Sequence, residues 1–80
     1  MRWYIKKNSE TPEEILIDYS HEANDTCDGL ISFNKVSHHF EIRRLSDGSD
    51  EFITEWLYRH AIGYIEDGTL GEKKRIVAIG

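Results

Sequence analysis

The stretch DYSHEANDTCDG, Asp18 to Gly29, holds four acids, a histidine and the only cysteine of the chain in twelve residues. Side chains of these types can bind a divalent cation, hold a transition metal or support a thiol nucleophile. A calcium loop of the EF-hand type would place Gly29 at the sixth position and Asn24, Thr26 and Asp28 at the first, third and fifth. The twelfth position, which should carry a bidentate Glu, is then Lys35. The plainer reading is turn chemistry, with Asp28-Gly29 leading into a strand.

Imidazole and thiolate ligands come from His21, Cys27 and the adjacent His38 and His39. None has the C-x-x-C or H-x-x-x-H spacing of a zinc site, and two neighbouring strand residues point to opposite faces. We expect no metal and no cofactor. Nucleophilic catalysis by Cys27 would need a histidine base and a depressed thiol pKa. Nearby carboxylates oppose thiolate formation, so we expect no catalytic residue and no enzyme. The GTLG segment, Gly68 to Gly71, lacks the length and flanking order of a phosphate loop.

His60 stands out because it falls within an apolar periodicity. Ile53, Trp56, Leu57, His60, Ala61 and Tyr64 recur at helical spacing, so His60 is expected on a buried helix face. His38 is expected on the side of its strand that carries Phe40 and Ile42, facing that helix. His60 and His38 are therefore a candidate polar core site, with Glu22 as an alternative partner. A buried histidine satisfied by a backbone carbonyl or a tyrosine hydroxyl is the plainer account.

These residues must be positioned by a small scaffold. Eighty residues make one domain, 1–80. A chain this size buries only about 60% of the surface it exposes when unfolded. No apolar run approaches the roughly 20 residues of a membrane span. A single cysteine without a signal-like N-terminus leads us to expect a cytoplasmic protein. The net charge of −5 opposes non-specific binding to nucleic acid.

Arg2–Lys6, Glu14–Tyr19, Leu30–Phe33 and His39–Leu45 read as strands, and Arg75–Ile79 as a fifth. Ile15, Ile17 and Tyr19 share one face of the second strand, with Leu16 on the other. NKVS, Asn34 to Ser37, reads as a hairpin connection. Between the fourth and fifth strands lies a helix, with Ser49 as its cap, Asp50 and Glu51 in its first turn and Gly68 as its stop. The order ββββαβ predicts an α+β fold: one mostly antiparallel sheet with an amphipathic helix on one face.

Two functions fit this scaffold. One is an interaction module that self-associates as a homodimer or docks on a partner protein. Tyr58, Ile62 and Ile65 form a second apolar helix stripe, expected to face away from the core, and Leu16 lies on the second sheet face. Contiguous exposed patches of this kind mark contact surfaces. The other is a binder of an anionic ligand or single-stranded nucleic acid. It would use Arg2, Lys6, Arg43, Arg44, Lys73, Lys74 and Arg75, with Trp3 and Tyr4 as stacking faces, if their strands are neighbours.

Overall fold

The computed structural model of the protein describes residues 2–78. It has the order β1 (Arg2–Glu10), β2 (Glu14–His21), β3 (Gly29–Asn34), β4 (Phe40–Arg44), α1 (Glu51–Glu66) and β5 (Arg75–Ala78). The strands form one sheet in the order β4-β3-β2-β1-β5, with every neighbouring pair antiparallel. The fold is the expected α+β arrangement of one sheet and one helix.

Alternation sets the two faces. In β2, Ile15, Ile17 and Tyr19 are buried while Glu14, Leu16 and Asp18 are less so, as expected of a strand covered by a helix on one side. The same face collects Trp3, Ile5, Ile31, Phe33 and Val77, and Leu57, Ala61, Ile65 and Leu70 close over it. The first strand runs longer than its apolar start suggests, because Asn8 forms a bulge that lets the polar end Ser9-Glu10 continue pairing with Leu16 and Ile15. The break at Pro12 narrows to the turn Thr11–Glu13, where Thr11 Oγ1 accepts from the Glu14 amide at 3.0 Å. The expected Ile79 end of the last strand lies outside the described residues.

The ends of α1 follow from local chemistry. Asp50, not Ser49, is the N-cap: its backbone is extended and its carboxylate accepts from the Ile53 amide at 2.8 Å. A carboxylate both caps and complements the helix dipole, and Ser49 Oγ instead lies 3.3 Å from Thr54 Oγ1. At the other end Gly68 has φ +73, and the Thr69 amide reaches back to the Tyr64 carbonyl at 3.0 Å. That is a Schellman closure, which needs a left-handed residue after the cap.

Alternating directions leave β4 and β5 running the same way at opposite edges of the sheet, roughly 19 Å apart at normal strand spacing. The helix carries the chain across that distance. Its buried residues are Thr54, Leu57, Ala61 and Ile65.

Candidate interaction surface

The helix is turned from the orientation its apolar periodicity suggested. The expected face ran through residues 53, 56, 57, 60, 61 and 64. Leu57 and Ala61 are indeed buried and Ile53 and Tyr64 pack at the margin of the core, but Trp56 and His60 are exposed. The fully buried line runs through 54, 57, 61 and 65, with 58 and 62 beside it, so its centre is turned by roughly 75° from that of the expected face. Three expectations are corrected together. Ile65 is buried, and Tyr58 and Ile62 pack against the core, so this stripe seals the sheet and does not point outward. Tyr58 stacks on Phe40 of β4 with ring centroids 4.2 Å apart, which anchors the helix over that edge.

His60 is exposed and is not part of the core. Its Nδ1 lies 2.9 Å from the Trp56 carbonyl, and its ring stacks on Trp56 at 6.0 Å. His38 is not in β4 either. It sits in the β3–β4 turn with φ +60, a conformation histidine tolerates better than most residues. Its ring meets the edge of Phe33 at 5.8 Å. The pair His60–His38 is therefore not a site. His38 instead joins Phe33, Lys35, Ile65 and Glu66 around a shallow cavity of about 340 Å³.

Rotation of the helix puts other apolar residues outside. Phe52 is 68% exposed and Trp56 43%. With His60 they make an aromatic ladder at i, i+4 and i+8, with Phe52 and Trp56 centroids 6.2 Å apart. Gly63 completes this outward surface. A Cβ there would meet nothing within 4 Å, so no neighbour in the fold requires glycine. Yet glycine inside a helix costs about 1 kcal/mol relative to alanine. On the flank of the ladder, Glu55 and Arg59 are both exposed, and neither has an ion-pair partner among the described residues. Periodicity missed this surface because Leu57 and Ala61 belong to both possible stripes, so the pattern alone grouped Trp56 and His60 with them.

The second sheet face is not bare. The β2–β3 loop folds back over it: the Cys27 amide donates to Ser20 Oγ at 3.1 Å, and Lys74 Nζ donates to the Asp25 carbonyl at 3.1 Å. Cys27 is buried beneath this loop, and burial pushes its thiol pKa up. Asp28 staples the loop. Its carboxylate accepts from Ser46 Oγ, from Asn24 Nδ2 and from the Asp47 amide, and the Ser46 hydrogen bond leads in holding its pKa below the usual carboxylate range. The acidic stretch is therefore the end of β2 followed by a folded loop that leads into β3. Among the described residues, no three His, Cys, Asp or Glu side chains are grouped to hold a metal ion. Leu16 is only partly buried on this face, between Ser9 and Ser32.

The basic clusters do not form one stripe. β1 and β5 are neighbours, but β4 with Arg43 and Arg44 lies at the far edge. Several of these cations are already engaged. Arg43 lies 3.6 Å from both Glu14 and Glu41, Arg44 Nε donates to the Asp28 carbonyl, and Arg75 stacks over Tyr64. Trp3 has no exposed surface and offers no stacking face. It pairs with His21 in the core at 5.3 Å, and Trp3 Nε1 and His21 Nε2 are buried without hydrogen-bond partners. His21 Nε2 comes no nearer than 3.7 Å to the Glu22 carboxylate.

No helix among the described residues is long and apolar enough to cross a membrane. Comparison with known proteins returned no matching family model, no matching curated protein and no matching solved structure.

Proposed function

We propose that the protein is a small interaction module that docks on another protein surface through the outward strip of α1, Phe52, Trp56 and His60. The observation that carries this reading is the exposure of Phe52 and Trp56 side by side on a helix whose other apolar residues are used up by the core. Large aromatic side chains held in register on a rigid element are the usual anchors of protein contacts. The alternative of a nucleic-acid binder loses its main support in the burial of Trp3 and in the distance of the β4 bases from those of β1 and β5.

The test is photo-cross-linking in the producing cell. A benzophenone amino acid is placed at Trp56 in one variant and at Ser9, on the opposite sheet face, in another. Adducts concentrated at position 56 are the expected result. Equal yields from the two positions would remove the reading.

A further inference from the structure

We infer that the occupant of the α1 strip is a second copy of the same chain, bound with the two helices antiparallel about a two-fold axis. The inference rests on the docking reading above and names its partner. Phe52 and Gly63 are eleven residues apart, just over three full turns, and so stand on one line of the helix. In an antiparallel pair centred between them, Phe52 lies over the partner's Gly63, and the reverse. A bulky ring then meets a position without a side chain, which supplies the reason for a glycine that the fold itself does not need.

The charges agree with the same register. A two-fold axis brings equivalent flanks of the two helices together, and contacts occur in reciprocal pairs. Setting Phe52 opposite the partner's Gly63 puts Glu55 within one residue's rise, about 1.5 Å along the axis, of the partner's Arg59. Both side chains lie on the same flank of the strip, so an unpaired acid meets an unpaired base twice. On the other flank Trp56 comes beside the partner's His60, extending the Trp56–His60 stack already present within each helix. A parallel arrangement about a two-fold would instead bring opposite flanks together, so that Glu55 and Arg59 would face the partner's Trp56 and His60 and the charges would not meet. The contact is limited to a 16-residue helix, about 24 Å long. A strip of that length and about 10 Å across is smaller than the roughly 800 Å² per partner of a standard stable interface, so association should depend on concentration over the micromolar to millimolar range.

Light scattering behind a sizing column, run across that range, reads the mass against 9.4 kDa for one chain. The wild type is expected to move to twice this mass. Phe52→Ala should weaken the dimer by about tenfold or more, the effect of losing a central aromatic anchor. Gly63→Leu should abolish it by filling the notch. Glu55→Arg alone and Arg59→Glu alone should each weaken it by setting like charges together, and the double exchange should restore it. Circular dichroism confirms that each variant is folded; all four positions changed are on the exposed surface. A monomer at every concentration overturns self-pairing, and the cross-links from position 56 then show whether the docking reading survives with a different protein. A dimer indifferent to Phe52→Ala and Gly63→Leu overturns both.

Discussion

The ring of Tyr19 fills the space where a side chain on its cross-strand partner Gly29 would stand. The ring cannot swing aside, because its hydroxyl is held at the far end. It accepts from the Ser46 amide at 3.0 Å and donates to Thr54 Oγ1 at 3.1 Å, while the Thr54 hydroxyl donates onward to the Asp50 carbonyl at 2.7 Å. This chain of hydrogen bonds ties the N-terminal turn of α1 to the middle of the sheet. Gly29→Ala is expected to cost about 2–3 kcal/mol through overpacking. Tyr19→Phe, which keeps the ring and strips two buried groups of a partner, should cost about 1–3 kcal/mol. Urea denaturation of the two variants checks both; an unaffected Gly29→Ala midpoint would show that the ring is free to move.

The Asp28 staple makes a pH-dependent contribution. The folded pKa is depressed, with the Ser46 hydrogen bond as the largest cause, so the charged form favours the folded state. That contribution is complete above the ordinary aspartate range and is lost as pH falls through the depressed folded value. Asp28→Asn should therefore destabilise the protein at neutral pH, by about 1–2 kcal/mol for weakened hydrogen bonds to a charged acceptor. The gap between variant and wild type should close below the ordinary aspartate range. Thermal melts at neutral and at acid pH measure it, and a constant gap would assign the effect to shape alone.

His21 carries an unpartnered ring nitrogen against Trp3 in the core. Replacing such a group with an apolar ring of similar shape removes a desolvated polar atom without opening a cavity. His21→Phe should leave stability unchanged or raise it. A loss beyond about 1 kcal/mol in chemical denaturation would show that the His21 nitrogen has a partner of consequence in solution.

The single thiol tests the loop that covers the second sheet face. Cys27 is 7% exposed, and burial raises its pKa. Reaction with a disulfide reagent should be slow in the native state at neutral pH and fast in denaturant, since the thiolate is the reactive form. Lys74→Ala, which frees the loop at Asp25, should speed the native reaction without melting the fold. A native rate equal to that of the unfolded chain would mean that the loop does not hold Cys27 down.

The rotation of α1 separates two substitutions that the sequence pattern would treat alike. Leu57→Ala opens a cavity under a fully buried side chain and should cost about 2–5 kcal/mol. His60→Leu changes an exposed position and should move stability by less than about 0.5 kcal/mol. Equal losses in a denaturant titration would put His60 back in the core.

Element type and order were legible in the chain because they depend on neighbours in sequence. The Ile15-Ile17-Tyr19 alternation marks β2, and Asp50, Glu51 and Gly68 mark the ends of α1, since capping and left-handed closure act within one turn. The rotation of the helix was not legible. Apolar residues at 53, 56, 57, 58, 61, 62, 64 and 65 leave two possible stripes, and choosing between them takes contacts from distant strands. Phe40 and Phe33 draw Tyr58 inward, and Tyr19 buries the polar Thr54 by giving its hydroxyl a partner. Strand order was equally out of reach: β5 could join either edge by its own composition, and it adds beside β1, where Val77 pairs with Trp3 on the covered face. The candidate surface follows from both decisions. By itself the sequence determined which residues are aromatic and that they lie on a helix; Phe52 and Trp56 remain outside because the tertiary structure had already filled the face over the sheet with Thr54, Leu57, Ala61 and Ile65.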